Sequence, residues 1–362
     1  MKYYIVIFGC QMNISDAERI AGVLESANYK KSQNINEADL VVIVACSVRQ
    51  SAIDRVYGVA EKLNQNQKNI LTGCLLESDK KKFGKIFDYI LDIKNIKKLP
   101  KILTTNCYHI LDDRLKCDNS SYLNITPEYK NKLLANVPIM TGCNNFCSYC
   151  VVPYTRGKEI SRPAKKIVTE IKKLVNNGYK EIWLLGQNVN SYKDCSAESG
   201  QIVNFPKLLK MVDSIPGEFK LNFTSSHPKD FSDELIQVMS ECKNLSMDLN
   251  LPVQSGDDEI LKKMNRPYTI SQYKNLVKKI RKALPNIRLS TDVIVGFPGE
   301  TKKQFNNTVK LFKEIKYGVA FINKYSPRQG TAASKMKDNV PWQEKKRREK
   351  ILIDIANAKN KK

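Results

Sequence analysis

Three cysteines lie close together in the segment GCNNFCSYCVVPYTRGKEISRP, which spans residues 142 to 163. They are Cys143, Cys147 and Cys150, in the pattern C-x3-C-x2-C. A structural zinc site takes four nitrogen or sulfur ligands, whereas this segment supplies three thiolates and no histidine. A cluster of four irons is different, because each thiolate binds one iron and three thiolates leave the fourth iron open. The pattern predicts an iron–sulfur site with one open position, and a zinc knuckle completed by a distant ligand is the alternative.

The cysteine and histidine content of the whole chain agrees with a thiolate-bound metal. The chain has 362 residues, with ten cysteines and only two histidines, His109 and His227. So few histidines nearly exclude a histidine-rich zinc or non-haem iron site. The apolar run in the N-terminal MKYYIVIFGC is shorter than a signal-peptide core, and runs such as LVVIVAC are too short to cross a bilayer. We therefore expect a cytoplasmic protein whose cysteines serve metal binding or catalysis rather than disulfides.

The chain is strongly basic, with 60 Lys and Arg against 37 Asp and Glu and a net charge of +23. Such an excess favours binding to polyanions, of which nucleic acid is the commonest. Two dense basic stretches, KKIRK at 278–282 and KKRREK at 345–350, are candidates for RNA contact. Each is equally compatible with the solvated face of a helix, and compositional drift is the alternative explanation for the charge.

Strands and helices alternate in the first hundred residues. Nearly continuous apolar strands separated by helices indicate a parallel sheet covered on both faces. The sequence therefore predicts an α/β fold with an N-terminal open parallel α/β sheet domain over residues 1–110. The predicted elements are a strand at 3–8, a helix capped by Ser15 and Asp16 with Ile20, Val23 and Leu24 on one face, a strand at 39–45, a helix at 48–64, a strand at 69–73 and a helix at 78–87.

A cysteine follows each of these three strands, at Cys10, Cys46 and Cys74. In open parallel sheets the carboxyl ends of the strands meet at one edge, which is where such sheets bind ligands. Three cysteines that are distant in sequence are thus expected to converge there as a second set of metal ligands. The alternative is that they are small buried hydrophobic residues, which cysteine often is at strand ends.

The rest of the chain predicts a second α/β domain. A polar stretch at 105–135 contains Cys107 and Cys117 without metal-like companions, and we interpret residues 111–135 as a linker. From residue 136, six strands alternate with helices, which is fewer than the eight strands of a closed barrel. We therefore predict a partial (β/α)6 TIM-like barrel over 136–340 and a basic C-terminal helix within 341–362.

Several motifs together resemble one enzyme family. The three-cysteine loop is similar to that of radical S-adenosylmethionine (SAM) enzymes, and the whole set resembles the methylthiotransferases, closest to the bacterial branch that makes 2-methylthio-N6-isopentenyladenosine (from N6-dimethylallyladenosine) in tRNA. The resemblance runs from residue 3 to about 350. Family members usually continue into a small C-terminal TRAM barrel that grips tRNA, which we expect to be absent here. The matching motifs are GCQMN at 9–13, ACSVR at 45–49, TGC at 72–74, the segment at 142–163, GQNVNSY at 186–192, TSSHP at 224–228, LPVQSG at 251–256, VIVGFPGET at 293–301 and YSPRQGTAASKM at 325–336.

The resemblance implies radical chemistry with two 4Fe–4S clusters. The open iron of one cluster would bind SAM, whose reductive cleavage gives a 5′-deoxyadenosyl radical. The auxiliary cluster would receive the sulfur that is methylated and transferred to carbon 2 of the adenine, so that two SAM molecules are used per turnover. In this sequence the SAM cluster would be held by Cys143, Cys147 and Cys150, and the auxiliary cluster by Cys10, Cys46 and Cys74.

The resemblance also implies partners. The substrate would be the anticodon stem-loop of tRNA, and an electron donor and a sulfur or cluster-assembly donor would be needed. We expect a monomer that does not contact the membrane. Three alternatives stay open: a methylthiotransferase that acts on threonylcarbamoyl-adenosine, one that acts on a ribosomal-protein aspartate, and a basic iron–sulfur RNA-binding protein without radical turnover.

Residues at the ends of the barrel strands are candidates for SAM binding, because active sites of such folds lie there. An aromatic residue in the cysteine loop could flank the adenine or simply pack the loop. Amides and a hydroxyl at two strand ends could bind the cofactor or tie down loops, and a glycine could give backbone approach beside the adenine. These candidates are Tyr149, Gln187, Asn188, Gln254, Ser255 and Gly296.

Other polar residues have weaker functional signals. Glu300 is as well explained by its place at a helix N-terminus as by SAM. Arg156 and Arg162 could contact SAM or RNA phosphate. His227 more often indicates a hydrogen-bonded loop residue than a base. We interpret Cys195 and Cys242 as structural.

Overall fold

The nearly continuous apolar strands at the start of the chain form one parallel sheet in the computed structural model, which describes residues 1–48, 50–64, 66–104, 122–196 and 200–358. The strand order is β2-β1-β3-β4-β5. Every residue of the central strand β3 is buried, as expected for a strand covered on both faces. The strands are β1 (Lys2–Phe8), β2 (Lys30–Lys31), β3 (Leu40–Cys46), β4 (Lys68–Cys74) and β5 (Tyr89–Ile90).

Helices and short 3-10 turns connect these strands. A hydrophobic core lies between β3, β4 and the helices, and it includes Ile43, Ile53, Leu71 and Phe83. The predicted alternation and the parallel N-terminal sheet are therefore confirmed. The helices are α1 (Gln11–Ser26), α2 (Gln50–Ala60), α3 (Glu77–Phe83) and α4 (Leu99–Thr104), with 3-10 turns at Ile35–Glu37 and Ile93–Lys98.

The first helix begins earlier than predicted. Cys10 is its N-cap, and Asn13 completes a capping box with it. Ser15 and Asp16, which we expected to cap the helix, lie inside it and are fully buried. The prediction was wrong because the two polar side chains serve tertiary hydrogen bonds, whereas the helix N-terminus is satisfied by a cysteine and an asparagine.

The chain divides into two compact units, and the division falls within the cysteine motif. The first unit is Met1–Asn144 with Val151–Arg162, and the second is Asn145–Cys150 with Pro163–Lys362. Besides the N-terminal sheet, the first unit contains β6 (Leu134–Pro138), β7 (Met140–Thr141), the short helix α5 (Val152–Thr155) and β8 (Ile160–Ser161), which pairs with β7.

The predicted domain boundaries at 110, 135 and 340 stay a prediction. Residues 111–121 of the predicted linker, with Cys117, lie outside the described residues, and so does Cys107 before it.

The second unit continues the strand–helix alternation. β9 pairs with β12, and β13, β14 and β15 form a further parallel sheet in that order. A parallel bridge from Leu221 to Leu245 continues the series between them. The strands are β9 (Glu181–Leu185), β10 (Lys193–Asp194), β11 (Val203–Asn204), β12 (Lys220–Phe223), β13 (Asp248–Asn250), β14 (Arg288–Val295) and β15 (Val319–Lys324), of which β10 and β11 form a small hairpin.

The helices of the second unit alternate with its parallel strands. This arrangement fits the predicted barrel-type α/β class, with the carboxyl ends of the parallel strands on a common edge. The helices are α6 (Ala164–Asn176), α7 (Phe205–Asp213), α8 (Asp233–Glu241), α9 (Asp258–Lys263), α10 (Ile270–Ala283), α11 (Lys302–Ile315) and α12 (Trp342–Asn357), with 3-10 turns at Val189–Ser191, Pro228–Asp230 and Ala332–Lys335.

The basic helix α12 turns part of its charge inward. Lys345 is buried and donates to Asp338 at 2.6 Å and to the carbonyl of Tyr325 at 3.3 Å. Arg348 is also buried and pairs with Glu300 at 2.6 Å. The stretch KKRREK is therefore neither wholly a solvated face nor wholly available to RNA. Among the described residues, no helix is both long and apolar enough to span a membrane.

Candidate metal centres

The first candidate centre is formed by the three cysteines that follow the N-terminal strands. Cys46 and Cys74 are the last residues of β3 and β4 and lie opposite each other in register. Cys10 follows β1 and caps α1. Desolvation and the nearby Cys74 raise the pKa of its thiol, and the backbone N–H groups of Asn13 and Met12 oppose this rise. Cys46 and Cys74 are buried, while Cys10 is exposed. The predicted convergence is thus observed within the first unit, and the set is open to solvent on the Cys10 side.

The two buried thiols share a hydrogen bond. It lowers the pKa of the Cys46 thiol, because it stabilises the Cys46 thiolate. The same hydrogen bond, together with burial, raises the pKa of the Cys74 thiol, and the positive charge of Arg156 opposes this rise. Metal binding needs both groups deprotonated, and a cationic neighbour favours that state.

Arg156 lies beside this pair, fully buried in the first unit. Its Nε donates to Sγ of Cys74 at 3.0 Å, and its two terminal nitrogens donate to Asp16 at 3.2 and 2.5 Å. The hydroxyl of Tyr122 donates to the same carboxylate. The guanidinium is therefore committed to a thiol and a carboxylate. It is not an RNA contact, which was one of the two roles that the sequence suggested for it.

Asn13 connects the cap of α1 to this network. Its Oδ1 accepts the backbone N–H of Cys10 at 3.3 Å, and its Nδ2 donates to Asp16 at 3.3 Å. Because Asn13 is fully buried, these bonds hold the first turn of α1 in a fixed orientation.

Three thiolates without a histidine are the donor type that iron–sulfur clusters take. Within the described residues, no three Cys, His, Asp or Glu side chains are grouped as ligands of one metal ion. A cluster needs its thiolates grouped less closely than a single ion does, since each thiolate binds its own iron. The nearby carboxylate of Asp16 is occupied by Arg156, which leaves three sulfurs as the ligand set.

The second candidate centre is the loop with the pattern C-x3-C-x2-C. Gly142 precedes its first cysteine with φ +82°, and a Cβ there would overlap the carbonyl of Lys158. Cys143 donates its backbone N–H to the carbonyl of Gly157 at 3.1 Å. Glycine is thus required for the chain to turn into the loop at this point, and Cys143 is buried in the first unit.

The other two loop cysteines belong to the second unit and lie in a tight turn. Cys150 donates its N–H to the carbonyl of Cys147 at 2.9 Å, and both side chains are half-buried. Ser148 between them is bonded on three sides: its N–H to Met264, its hydroxyl to Lys263 and its carbonyl to Ala333. These hydrogen bonds fix the turn from within the second unit.

Tyr149 packs against the apolar cluster that includes Ile260, Met264 and Phe297. This contact supports the packing role that the sequence allowed for Tyr149, and it leaves the adenine role untested.

Arg266 is a functional candidate that the sequence did not reveal. It is buried, and its Nη1 lies 3.7 Å from Sγ of Cys147. The Tyr268 hydroxyl and the Pro252 carbonyl hold it at 2.9 and 2.8 Å. Each candidate centre thus has one buried arginine that donates to one of its sulfurs. Only the folded structure shows this, because Arg266 is 119 residues from Cys147 in sequence.

The candidate SAM residues lie at the carboxyl ends of the strands in the second unit. Gln187 and Asn188 follow β9; Asn188 is buried and donates to Asp230 at 2.7 Å. Its Oδ1 has no hydrogen-bond partner within the described residues. A buried amide oxygen without a partner is costly, so this atom is available to a ligand N–H.

Gln254 and Ser255 follow β13 in a strained turn. Gln254 has φ +68°, which is unusual for a residue other than glycine, and it bridges to Val293 of β14. Ser255 is fully buried, and its hydroxyl accepts the N–H of Asp257 at 3.3 Å. Strained backbone of this kind clusters at functional sites, which agrees with a place at the cofactor edge.

The group that lies against the backbone of Gly296 is a side chain of the protein, that of Lys345. Gly296 has φ +67°, and a Cβ there would overlap Cγ of Lys345. Its N–H donates to Glu300 at 2.7 Å, and Glu300 also accepts from Arg348. Burial raises the pKa of Glu300, and these donors oppose the rise. Glu300 is thus a structural link rather than an open ligand.

His227 is a hydrogen-bonded loop residue in the structure. Its Nδ1 accepts the N–H of Lys229 at 3.2 Å, and burial lowers its pKa to about 2. At neutral pH the imidazole is therefore uncharged and carries its single proton on Nε2, because Nδ1 accepts a hydrogen bond, and an uncharged imidazole is a poor general acid. Cys195 is exposed after β10 and Cys242 ends α8 half-buried, and the described cysteines form no disulfide.

Models of two protein families match this chain. The radical SAM superfamily matches residues 137–312, and the uncharacterized protein family UPF0004 matches residues 2–93.

Curated relatives are similar over almost the whole chain. A tRNA-2-methylthio-N(6)-dimethylallyladenosine synthase of Clostridium botulinum is 42% identical over 375 residues, which covers 98% of this chain and 81% of that protein. The proteins of the same name from Acetivibrio thermocellus and Carboxydothermus hydrogenoformans are each 41% identical, over 99% of this chain and 77% and 83% of their own.

Solved structures of radical SAM enzymes share the fold. The methyltransferase TsrM from Kitasatospora setae, with cobalamin and a [4Fe-4S] cluster bound, has a TM-score of 0.65 at 14% identity, over 92% of this chain and 77% of that chain. The cobalamin-dependent enzyme OxsB has a TM-score of 0.61 at 10% identity, over 99% of this chain and 55% of its own. These likenesses confirm the predicted fold class and extend no further.

Proposed function

The chain belongs to the family of tRNA-2-methylthio-N(6)-dimethylallyladenosine synthases, which are radical SAM enzymes, and we propose from this that its substrate is tRNA with N6-isopentenyladenosine next to the anticodon. It transfers a methylthio group to carbon 2 of that adenine. The observation that carries the proposal is the 42% identity to such an enzyme over 98% of the chain.

As a radical SAM enzyme, the protein uses a 4Fe–4S cluster and SAM. The residues that hold this cluster are Cys143, Cys147 and Cys150, because their pattern C-x3-C-x2-C resembles the cysteine loop of radical SAM enzymes. The bound cluster supplies the electron that cleaves SAM and starts the radical chemistry. The protein's part is to fix the loop through Ser148 and to place the positive charge of Arg266 beside Cys147.

A second 4Fe–4S cluster is held by Cys10, Cys46 and Cys74. Three observations support this assignment: the three cysteines follow neighbouring strands at one end of the sheet, Arg156 donates to one of them, and the carboxylate of Asp16 is paired with that arginine. When bound, this cluster is the place where sulfur is delivered to the substrate. The exposed position of Cys10 gives the sulfur donor a path to it.

SAM binds at the carboxyl ends of the strands in the second unit. The free Oδ1 of Asn188 and the strained turn at Gln254 and Ser255 support this placement. Gln187 and Tyr149 belong to the same proposal by position. Gly296 has no side chain and can offer the cofactor only its backbone, and Lys345 lies against its Cα.

The functional division follows the predicted domains, with the N-terminal domain at 1–110 for the second cluster and the radical SAM core at 136–340. The enzyme acts as a cytoplasmic monomer. It needs an electron donor to reduce the first cluster, and a sulfur or cluster-assembly donor to renew the second.

Nucleoside analysis tests the proposal. The gene is expressed in a bacterium that lacks its own methylthiotransferase, and tRNA nucleosides are analysed by mass spectrometry. We expect 2-methylthio-N6-isopentenyladenosine with the unaltered chain and none with Cys147→Ala. The matched control is Cys195→Ala, because Cys195 is exposed and lies outside both centres, and its product level should equal that of the unaltered chain.

A methylthio group on threonylcarbamoyl-adenosine or on a ribosomal protein instead would reject the assigned substrate while leaving the reaction class intact. If the unaltered chain forms no methylthiolated product at all, both the assigned substrate and the reaction class are rejected.

A further inference from the structure

The guanidinium of Arg156 is an expensive group to bury. Its side chain is 1% exposed, and arginine stays protonated in proteins. Removing such a charge from water costs several kcal/mol, and the attraction within a buried ion pair often does no more than offset this desolvation penalty. Stability alone is therefore a weak reason for a charge at this position, and a role at the neighbouring cysteines is the stronger explanation.

The geometry of Arg156 links a metal ligand to a fixed anion. The group is planar, and its two terminal nitrogens are held by Asp16 at 3.2 and 2.5 Å. Of the N–H groups that this contact leaves, the one on Nε donates to Sγ of Cys74, at 3.0 Å. The carboxylate thus sets the direction in which the arginine donates to sulfur.

Asp16 is itself held in place from two sides. The hydroxyl of Tyr122 and the Nδ2 of Asn13 both donate to it, and all three side chains are buried. Because Asn13 also accepts from the backbone of Cys10, the network reaches two of the three cysteines. A network satisfied in this way keeps its dipoles in fixed directions when the charge of a nearby group changes.

We propose that Arg156 is a positioning residue that raises the reduction potential of the second cluster, and that Asp16 limits this effect. The proposal rests on the proposed function, in which Cys10, Cys46 and Cys74 hold that cluster. A hydrogen bond and a positive charge at a ligand sulfur stabilise the reduced state, which carries one more negative charge. The carboxylate of Asp16 cancels part of the positive charge, so the two residues act in opposite directions.

The test is a redox titration followed by electron paramagnetic resonance. It uses the full chain with Cys143, Cys147 and Cys150 replaced by Ala, reconstituted with iron and sulfide, so that only the second cluster is present. We expect Arg156→Gln to lower the reduction potential by about 59 mV. For one electron, this shift corresponds to a tenfold change in the ratio of oxidised to reduced cluster at a given potential. Asp16→Asn should move it upward, and Arg156→Lys, which keeps the charge, should move it less than Arg156→Gln.

The matched control is Arg19→Lys. Arg19 is also a fully buried arginine of the first unit, but it donates to Ser15 and stacks on Tyr122 instead of contacting sulfur. Its replacement should leave the potential unchanged, so a general effect of disturbing the core would be recognised by a shift in this variant.

The outcomes separate the two proposals. If the chain with Arg156 intact binds no cluster on the three remaining cysteines, the second cluster is wrong and this inference falls with it. If the cluster forms and its potential is the same in Arg156→Gln and Asp16→Asn, or moves in one direction in both, the inference alone is wrong. If Arg156→Gln binds no iron, the other two variants test the inference. An upward shift of the potential in Asp16→Asn and a downward shift in Arg156→Lys support it, and any other result rejects it.

Discussion

Arg348 and Glu300 form an ion pair of 2.6 Å, and the same carboxylate oxygen accepts the backbone N–H of Gly296 at 2.7 Å. The two side chains are 5% and 1% exposed. The last helix of the second unit is therefore bonded through one carboxylate to the turn that follows β14.

Removing Arg348 should destabilise the second unit strongly. Arg348→Ala leaves the buried carboxylate of Glu300 without its cation, and breaking a buried pair in this way costs about 3–5 kcal/mol. The matched control is Arg347→Ala, since Arg347 is half exposed and pairs with Glu344 on the surface, where such pairs contribute about 0–1 kcal/mol. Urea unfolding of both variants measures the difference. Equal losses of unfolding free energy in the two variants would show that the buried pair stabilises the protein no more than the surface pair does.

The second cluster predicts a definite iron content. Anaerobically reconstituted protein should hold about eight irons, in two clusters of four. Replacing Cys10, Cys46 and Cys74 by Ala should leave about four irons and intact cleavage of SAM to 5′-deoxyadenosine, while methylthiolation of tRNA is lost. The double change Cys195→Ala and Cys242→Ala serves as the control and should keep both activities. Continued methylthiolation by the triple variant would show that these three cysteines are structural.

His227 should make the fold sensitive to acid. Its pKa is lowered to about 2, below the ordinary value of 6.5, by burial and by the charges of Arg266 and Lys229. The unfolded chain therefore binds a proton that the folded chain does not, and stability is lost as the pH falls below 6.5. The loss amounts to about 1.4 kcal/mol per pH unit from this residue.

His227→Asn provides the matched comparison for this acid effect. The asparagine oxygen keeps the acceptor for the Lys229 N–H but does not titrate. Between pH 6.5 and 5, urea unfolding should show a steeper loss of stability for the unaltered chain than for the variant. Parallel pH curves would mean that His227 is accessible to protons in the folded state.

The charge that remains available to RNA on α12 is smaller than its sequence indicates. Lys346, Arg347 and Lys350 are exposed, while Lys345 and Arg348 are buried in ion pairs. Changing the three exposed residues to Gln should weaken binding of all tRNAs alike. It should flatten the log–log salt dependence by about 0.7–0.9 for each phosphate that the helix no longer neutralises, with the preference for isopentenylated tRNA unchanged. A filter-binding series from low to high salt measures this, and an unchanged slope would show that α12 does not contact RNA.

The sequence predicted the fold, and the place of cysteines at the ends of its strands, because these depend on local patterns. The ends of β3 and β4, where Cys46 and Cys74 lie, follow from apolar runs that any buried parallel strand needs. Asp16 shows the limit of such reasoning. A Ser-Asp pair before an apolar stripe is the usual mark of a helix start, and only the tertiary contact with Arg156 shows why the helix begins earlier.

The contacts of two buried arginines with cysteine sulfurs could not be predicted from the sequence either. Arg156 and Arg266 are separated by 82 and 119 residues from the cysteines they contact. Periodicity and motif spacing carry no information on such distant pairs. They could be suspected as basic residues near the cluster loop or a strand end, but not assigned to a sulfur.

The packing of Lys345 over Gly296 restricts how this protein can diverge. Position 296 has a left-handed backbone and no room for a Cβ while a long side chain occupies position 345. A larger residue at 296 would need a smaller residue at 345, which removes the bond to Asp338, and it would still carry the strain of the left-handed backbone. The two positions, 49 residues apart, should therefore change together or stay fixed during evolution.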